Sequence, residues 1–180
     1  HSKTVLTDIN VRLKVIAEET KNAIQADRCT VFILDKEKDE RWSKVALGME
    51  SQEIRFPADK GLAGYVVKTG ESVNIADAYS DPRFNKDVDS KSGYHTKSIL
   101  CMPIKNNNQE IIGAFQVLNK LDGVFTKNDE DLLVAIGGSA SIALENAQLF
   151  EQQKELYKEQ KQLFESFIDT IETSIDARDR

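Results

Sequence analysis

Two pairs of strand-like runs constrain the fold of this chain more than any other feature. The runs CTVFILD (29–35) and RWSKVAL (41–47) are rich in β-forming residues and are separated by charged residues. The runs SILCMPIK (98–105) and EIIGAFQVLNK (110–120) are separated by the turn-forming NNNQ. Each pair therefore predicts a β-hairpin, and Pro103 predicts a bulge or an edge position in the second one.

Further strands and helices complete the pattern. QEIRF (52–56) predicts a third strand and SVNI (72–75) a short one. Apolar residues at steps of three and four predict an amphipathic helix over residues 4–25. LAGYVVKT (62–69) predicts a short helix that Gly70 closes. The sequence thus predicts an α+β fold in which helices flank a sheet of about six strands.

The C-terminal part of the chain is helical in pattern almost to its end. It carries a seam of coiled-coil type, formed by Leu149, Leu156 and Leu163 at seven-residue intervals, with Gln160 and Phe167 four residues after the second and third leucines. We interpret this seam as part of a parallel dimer helix that carries a signal downstream, and a solvated terminal helix is the alternative. The expected organisation is an N-terminal helix (1–25), a central sensor domain (26–150) and a signalling helix (151–180) that leads to an output domain.

The segment 76–97 interrupts this regular pattern. It contains four aspartates, Pro82, Gly93 and several serines, and it predicts loop and short helical turns. A loop of about 20 residues inside a compact domain is uncommon and is usually functional or disordered. Because the segment carries the aromatic residues Tyr79, Phe84 and Tyr94, we expect a functional loop.

Composition excludes several classes of protein. With 40% hydrophobic and 30% charged residues, three prolines and nine glycines, the chain is not disordered, collagen-like or disulfide-rich. A net charge of -6 argues against a nucleic acid or an acidic membrane surface as partner. Cys29 and Cys101 lie in apolar runs, which suits a reducing compartment. No apolar run approaches the roughly 18 residues of a membrane span, and residues 1–10 lack a signal-peptide pattern. We therefore expect a soluble cytoplasmic domain.

No pattern of catalytic or metal-binding residues stands out. The two cysteines are far apart in strand-like runs, so zinc-site spacing is absent, and His95 is the only internal histidine available to activate a nucleophile. Asp87 and Asp89 form a carboxylate pair, but in an acidic chain such a pair is commonly surface charge. The GLAG stretch (61–64) is no phosphate loop; its helix start suits an anion, and tight packing on the sheet explains it equally well. We expect a non-enzymatic, small-molecule-binding module.

Three stretches of the sequence resemble a GAF domain: DRCTVFILDKEK, RFPADKGLAGYVVKTGESVNIADAYSDPRFN, and SGYHTKSILCMPIKNNNQEIIGAFQVLNK running into FTKNDEDLL. The likeness covers roughly residues 10 to 150 and is closest to the GAF domains of cyclic-nucleotide phosphodiesterases and cyanobacterial adenylate cyclases. Its most specific part is a motif made of Asn119, Lys120, Phe125, Asp129 and Glu130. The resemblance implies a six-stranded antiparallel sheet, a ligand under the long loop, and a structural ion pair between Lys120 and Asp129.

The resemblance also implies a set of pocket residues. Matched by motif, they are Thr30, Leu62, Ala63, Asn85, Asp89, Ser92, Thr96 and Gln116. Their hydroxyl and amide groups can bond a ribose hydroxyl, a cyclic phosphate or a base edge, and the two apolar side chains can pack near a ring. The implied ligand is cyclic AMP or cyclic GMP, and no metal or cofactor is expected.

The chain departs from the family pattern at several of these places. Some cyclic-GMP-binding relatives carry an aromatic residue and an acid where this chain has Ala46 and Leu47, and some relatives carry an acid where it has Gln116. Asn85 likewise stands where some relatives have an aromatic residue. Because the acid is absent at Leu47, we expect a slight preference for cyclic AMP. Covalent bilin or haem sensing is disfavoured, since the cysteines lie in strands and His95 is a lone candidate ligand.

The tail FESFIDTIETSIDARDR resembles the entry helix of an HD-GYP domain, a family of cyclic di-GMP phosphodiesterases. The parent protein would then be a phosphodiesterase whose catalytic residues lie beyond Arg180. We thus expect a homodimer formed through the N- and C-terminal helices, which relays cyclic-nucleotide binding to that output domain. The alternative is a GAF module for dimerisation and signal relay that binds a different ligand or none.

Overall fold

A computed structural model describes residues 2–35, 41–46, 54–57 and 61–178. The predictions that concern Leu47 and the first residues of the third strand lie outside these ranges. The elements in chain order are α1 (Ser2–Ile24), β1 (Ala26–Asp35), β2 (Arg41–Ala46), β3 (Ile54–Pro57), α2 (Gly61–Thr69), β4 (Val73–Ile75), a 3₁₀ helix (Ala78–Ser80), α3 (Lys86–Ser92), β5 (Ile99–Lys105), β6 (Ile111–Lys120) and α4 (Lys127–Arg178).

The strands form one sheet in the order β3-β2-β1-β6-β5-β4, and every neighbouring pair is antiparallel. The predicted α+β class, with helices around an antiparallel sheet, is confirmed. Four adjacent strands, β1, β6, β5 and β4, make up the part of the sheet whose side chains are described, and they position the candidate site.

Pro103 lies where β5 has only one partner. Strand β4 pairs with β5 from Ile99 to Cys101 and not beyond, so the missing N–H of the proline faces an open side of the strand. A register shift follows between Ile104 and Lys105. The proline therefore costs the sheet no hydrogen bond between strands.

The sheet buries a core on each face. On one face, Val31, Phe115 and Val117 are buried together with Leu13 of α1 and Leu133 of α4. Phe115 lies close enough to α4 that a Cβ built on Gly137 would be 3.9 Å from its ring. On the other face, the buried residues of the sheet pack with the short helix α2; they are Phe32, Ile99, Cys101, Ala114 and Leu118 from the sheet, and Leu62, Ala63 and Val66 from the helix.

The chain divides into two compact units, residues 1–143 and residues 144–180. The second unit is the C-terminal part of α4, and its large apolar side chains are exposed: Leu149 by 57%, Leu156 by 58%, Leu163 by 71% and Phe167 by 60%. These are the residues of the predicted dimer seam. The dimer itself and the predicted domain bounds at residues 25 and 150 stay predictions.

The helix α4 also contains an 18-residue stretch of mean hydropathy 1.3, long and apolar enough to cross a membrane by length and composition alone. This stretch does not form an uninterrupted apolar run in the sequence, because small and polar residues are interspersed with its leucines and isoleucines. About a quarter of it is buried within the structure. Core helices of soluble proteins share the property, so it does not establish a membrane partner.

Candidate functional site

A row of side chains crosses the sheet on the face that packs with α2. Thr30 of β1 pairs with Gln116 of β6. Gln116 in turn pairs with Cys101 of β5, and Cys101 pairs with Val73 of β4. Residues directly opposite each other in a sheet project from the same face. The antiparallel register therefore brings together Thr30 and Gln116, two predicted ligand residues that are 86 positions apart in the chain (116 minus 30).

Neither polar side chain in this row has a hydrogen-bonding partner among the described residues. The Thr30 side chain is buried, with 6% of its surface exposed, and Gln116 is half-buried. Buried hydroxyl and amide groups are nearly always hydrogen-bonded, because leaving one unpaired costs about 1–3 kcal/mol. Thr30 and Gln116 thus offer one hydroxyl and one amide to a molecule bound on this face of the sheet.

Helix α2 provides the apolar wall of the same region. Leu62 and Ala63 are buried in its first turn and belong to the core cluster with Phe32 and Cys101. The helix begins at Gly61, whose φ of +72° is one that glycine adopts without strain. The two apolar side chains predicted to contact a ring are therefore beside the Thr30–Gln116 row, on the core side of α2.

The segment 76–97 folds into a 3₁₀ turn and helix α3. Asn85 caps the N-terminus of α3, with its side-chain oxygen accepting a hydrogen bond from the N–H of Asp87 (3.1 Å). Gly93 ends the helix in the left-handed conformation with φ +74°. Ser92 accepts a hydrogen bond from the N–H of Tyr94 (3.3 Å). Asn85 and Ser92, predicted to contact ligand, are exposed and their polar groups build the local turns.

Asp89 and Thr96, also predicted to contact ligand, bind each other. The Asp89 carboxylate accepts the Thr96 N–H (2.7 Å), the Thr96 hydroxyl (2.8 Å) and the Tyr79 hydroxyl (2.7 Å). Both Asp89 and Thr96 are buried. Their polar groups are used inside the segment, so in this structure they shape the loop that would cover a ligand.

Aromatic contacts extend this network. His95 stacks on the Tyr79 ring at 4.8 Å between centroids, and Phe84 meets the same ring edge-on at 5.4 Å. The hydrogen bond to Asp89 raises the pKa of Tyr79 above its ordinary value. His95 is an exposed residue whose ring packs on the Tyr79 ring of the loop.

An arginine ties the same segment to α2. Arg83 forms a bidentate ion pair with Asp81, with Nε to Oδ1 at 2.9 Å and Nη2 to Oδ2 at 2.7 Å. Its guanidinium lies over the Tyr65 ring of α2, 4.6 Å from the centroid. The hydrogen bond from Arg83 holds the pKa of Asp81 below its usual range, although burial acts in the opposite direction.

At its C-terminal end the segment is fastened to the sheet by Asn119. The side-chain oxygen accepts the N–H groups of Lys97 (2.6 Å) and Ser98 (3.2 Å), and the side-chain nitrogen donates to the Tyr94 hydroxyl and the His95 carbonyl, both at 2.9 Å. The Tyr94 hydroxyl in turn donates to Asp27 of β1 (2.6 Å). The loop is thus held at its end by strands β1 and β6.

The remaining motif residues form the junction of the terminal helices. Lys120 Nζ lies 3.1 Å from Asp129 Oδ1, with both side chains nearly buried, and it also donates to the Ile24 carbonyl at the end of α1. Asp129 accepts the Thr126 N–H (2.9 Å) as part of the N-terminal cap of α4.

Two more residues of the motif belong to this junction. Phe125 is buried, and its carbonyl accepts the Asn74 amide of β4 (2.9 Å), which joins the edge strand to the start of α4. Glu130 is in the first turn of α4, and its N–H donates to the Thr126 carbonyl (3.1 Å). These four motif residues thus lie at the helix junction, whereas Asn119 contacts the loop.

Neither cysteine is placed for attachment of a cofactor. Both are buried thiols, and burial raises the pKa of Cys29 and of Cys101 to about 12, so the nucleophilic thiolate is scarce at neutral pH. Among the described residues, no group of three or more His, Cys, Asp and Glu side chains is arranged to hold a metal ion.

Together, the fold and the site define a class of protein: a small α+β domain whose loop, residues 76–97, is fastened to the sheet and to helix α2. The sequence profile of the GAF domain family matches residues 8–144, and the chain belongs to this family. The predicted family resemblance is confirmed.

Two curated relatives are cyclic nucleotide phosphodiesterases. A probable 3′,5′-cyclic phosphodiesterase of Caenorhabditis elegans is 43% identical over 141 residues, which cover 72% of this chain and 19% of that protein. A dual 3′,5′-cyclic-AMP and -GMP phosphodiesterase 11A of Takifugu rubripes is 41% identical over 140 residues, which cover 71% of this chain and 16% of that protein. The chain therefore spans less than a fifth of the length of either relative.

Solved structures share the fold at lower identity. The GAF domain of a phosphoenolpyruvate-protein phosphotransferase from Coxiella burnetii superposes with a TM-score of 0.70 at 19% identity, covering 83% of this chain and 94% of that one. At this identity the likeness concerns the fold alone.

Sequence reasoning missed the residues that fasten the loop. The ion pair of Arg83 and the hydrogen bond of the Tyr79 hydroxyl were not predicted. The hydrogen bonds of Asn119 to residues 94–98 were not predicted either. Only the position of Asn119, one residue before the Lys120 of the implied ion pair, could have indicated such a role.

Proposed function

We propose that this chain is the regulatory region of a larger signalling protein and that it binds a cyclic nucleotide between the sheet and the segment 76–97. The observation that carries the proposal is the pair Thr30 and Gln116 on the face that packs with α2, whose side chains have no hydrogen-bonding partner among the described residues. The homology to two enzymes that act on cyclic nucleotides supports this class of ligand. In this proposal the chain has a cytoplasmic location, has no catalytic residues and needs no metal or cofactor.

The residues take different roles in this proposal. Thr30 and Gln116 contact the polar groups of the ligand directly, and Leu62 and Ala63 pack against it. Asp89 and Thr96 act one step away, because their hydrogen bonds keep the covering loop in shape.

We further propose a slight preference for cyclic AMP over cyclic GMP. A glutamine amide can both donate and accept, so it can pair with an adenine edge through the N6 amino group and a ring nitrogen. Gln116 stands where some relatives carry an acid, and Leu47 stands where some cyclic-GMP-binding relatives carry one; an acid suits the two N–H donors of guanine better.

The proposed output runs through the C-terminal helix. Leu149, Leu156, Leu163 and Phe167 are exposed and follow a coiled-coil seam, which supports a parallel homodimer with contributions from α1 and α4. An HD-GYP phosphodiesterase domain is the output domain we propose, on the likeness of the tail. The alternative function is a GAF module for dimerisation and relay that binds a different ligand or none.

A thermal-unfolding scan tests the binding proposal. Cyclic AMP, cyclic GMP, cyclic di-GMP and the open-ring 5′-AMP are each added to the chain. A ligand at 100 times its dissociation constant adds about 2.7 kcal/mol of stability, which for a chain of this size raises the melting temperature by about 5–10 °C. We expect this rise with cyclic AMP, a smaller one with cyclic GMP, and none with 5′-AMP.

A matched pair of variants locates the site. Gln116→Leu removes the amide in the proposed pocket, whereas Gln162→Leu makes the same change at an exposed position of α4. The first variant should lose the rise in melting temperature and the second should keep it. An absence of any rise with all the cyclic nucleotides in the unsubstituted chain would support the relay alternative instead.

A further inference from the structure

We infer that Asn119 is a positioning residue that couples the segment 76–97 to the junction of the two terminal helices. The inference deepens the proposed function, on which its meaning for signalling rests. The coupling itself is a property of the chain without ligand, so it can be measured independently.

The backbone of Asn119 has an unusual conformation for a residue within a strand. Its φ is +58°, in the left-handed region that asparagine enters more readily than most other non-glycine residues. It lies in β6 between Leu118 and Lys120, which both keep their register with β1, opposite Arg28 and Ala26. The strand therefore continues through Asn119 while its local backbone is turned out of the regular conformation.

The side chain of Asn119 uses its full hydrogen-bonding capacity. An asparagine amide has two donors and an oxygen that accepts two bonds. All four are used: Lys97 and Ser98 donate to the oxygen, and the nitrogen donates to the Tyr94 hydroxyl and the His95 carbonyl. One side chain thus holds four of the five residues from 94 to 98.

The fifth residue of this stretch, Thr96, is held from the opposite side. Its N–H and its hydroxyl both donate to Asp89, which also receives the Tyr79 hydroxyl. The stretch 94–98 is therefore clamped between the loop network and Asn119. A ligand that repositions Asp89 or Thr96 has to act on the hydrogen bonds of Asn119.

Lys120, the residue after Asn119, connects the loop to helices α1 and α4. The N–H of Lys120 donates to the Ser98 hydroxyl (3.1 Å), and its ammonium group contacts the Ile24 carbonyl and Asp129 (3.1 Å). The side chain of Asn119 thus contacts the loop, and the side chain of the adjacent Lys120 contacts the end of α1 and the start of α4. Such a shared element is what an energetic coupling between two sites requires.

A double-mutant cycle tests the coupling. Thr96→Val removes the hydroxyl bond to Asp89, and Lys120→Met removes the ammonium bonds at the helix junction. Urea unfolding is measured for each variant and for the pair. We expect the pair to depart from additivity by at least about threefold in the unfolding equilibrium constant.

The same cycle is repeated with Asn119→Gly, since glycine accepts the positive φ and removes only the amide side chain. In this background the two changes should be additive to within about twofold. As a control, Thr96→Val is combined with Ser141→Ala, which removes another bond of α4, the one to the Lys105 carbonyl. This pair should be additive in both backgrounds. Additivity of Thr96→Val with Lys120→Met when Asn119 is intact, or non-additivity that survives Asn119→Gly, would overturn the inference.

Hydrogen exchange with the single variant Asn119→Gly covers the case in which a double variant does not fold. Glycine removes both the acceptor of the Lys97 and Ser98 N–H groups and the donor to Tyr94 and His95. We expect exchange at least about threefold faster at the amides of Lys97 and Ser98 and also of Leu121 and Glu130, which are bonded at the helix junction. The Gly70 amide, bonded to Val66, should not change. Faster exchange confined to residues 94–98 would contradict the coupling.

Adding cyclic AMP separates this inference from the proposed function. Protection at Leu121 and Glu130 that appears with the ligand, and disappears in Asn119→Gly while the ligand still binds, would support both. A non-additive cycle together with no binding would leave the coupling standing and remove the proposed ligand. Binding of cyclic AMP together with an additive cycle would support the proposed ligand and overturn the coupling.

Discussion

Asp89 and Thr96 are joined by two hydrogen bonds, one from the Thr96 N–H at 2.7 Å and one from its hydroxyl at 2.8 Å. Both side chains are buried, and both were expected from the sequence to face a ligand. The bonds close a turn of the loop around a carboxylate that also receives the Tyr79 hydroxyl. The loop therefore holds its shape before any ligand arrives.

This relationship predicts the effect of Thr96→Val on stability. The variant leaves one oxygen of a buried carboxylate without its hydroxyl donor, and a hydrogen bond to a charged group contributes about 1.5–3 kcal/mol. Urea unfolding should show a loss of this size. In the same segment, Ser90→Ala removes an exposed hydroxyl bond to the Asp87 carbonyl and should change stability by less than about 0.5 kcal/mol. Equal effects of the two variants would refute the structural role of Thr96.

The ion pair between Lys120 and Asp129 predicts a loss of stability in acid. Burial acts to raise the pKa of Asp129, but the Thr126 N–H and the Lys120 ammonium outweigh it and hold the pKa below its ordinary value. A lowered pKa stabilises the fold above the unfolded-state pKa of about 3.9, and this stabilisation is lost as the pH falls through the folded-state pKa.

The measurement is the unfolding free energy from pH 7 down to pH 2 for the unsubstituted chain and for Asp129→Asn. The gap between them should be constant above about pH 5 and close at lower pH. Asp131→Asn alters the exposed pair with Lys127 and should show a gap below about 0.5 kcal/mol throughout. A gap for Asp129→Asn that stays constant to pH 2 would mean that its charge contributes nothing.

Tyr94 predicts a loss of stability in alkali. Burial, and next the hydrogen bond to Asp27, raise the pKa of Tyr94 well above its ordinary value. The folded state thus keeps the proton when the unfolded state loses it above about pH 10, so stability falls as the pH rises through that range. In Tyr94→Phe this part of the slope should vanish between pH 9 and pH 11. An unchanged slope would show that Tyr94 ionises equally in both states.

Two glycines predict opposite responses to the same substitution. A Cβ on Gly113 of β6 would lie 2.3 Å from the Phe32 carbonyl oxygen, so Gly113→Ala forces two strands apart. A Cβ on Gly138 of α4 meets nothing within 4 Å. Gly113→Ala should cost at least about 3 kcal/mol or abolish folding, and Gly138→Ala should stabilise by about 0.5–1 kcal/mol because alanine favours the helix. Urea unfolding that ranks the two variants in the reverse order would contradict the strand spacing.

The hairpins and the helix ends can be predicted from the sequence because local chemistry decides them. Alternating β-formers indicate β1 and β6, and Gly70 ends α2 in the left-handed conformation with φ +73°, as the sequence indicates. Local chemistry also places short helical turns in the segment 76–97, since Asn85 and Gly93 cap α3.

The contacts within the site cannot be predicted in the same way. Tyr94 bonds Asp27 across 67 positions, and Asn119 bonds Lys97 across 22, so these contacts depend on the register of the whole sheet. An aspartate and a threonine in an aperiodic loop suit a ligand and suit each other equally well, and the sequence contains nothing that decides between them. Only the row that contains Thr30 and Gln116 follows directly from strand pairing.

The proposed ligand binds at Thr30, and one pair of variants separates ligand binding from the stability of the fold. Thr30→Val removes a buried hydroxyl that has no partner among the described residues. Thr20→Val removes a buried hydroxyl of α1 that donates to the Ile16 carbonyl at 2.6 Å. Only the second change should lower stability, by about 1 kcal/mol, since only it breaks a hydrogen bond within the part of the chain that the structure describes.

The measurement is isothermal titration of cyclic AMP into the unsubstituted chain and both variants, with stability measured alongside. Thr30→Val should weaken binding by about fivefold or more, which corresponds to about 1 kcal/mol, and should leave stability unchanged or raise it. Thr20→Val should bind as the unsubstituted chain does. Unaltered affinity in Thr30→Val, or no heat of binding in the unsubstituted chain, would contradict the assignment of this face of the sheet as the ligand site.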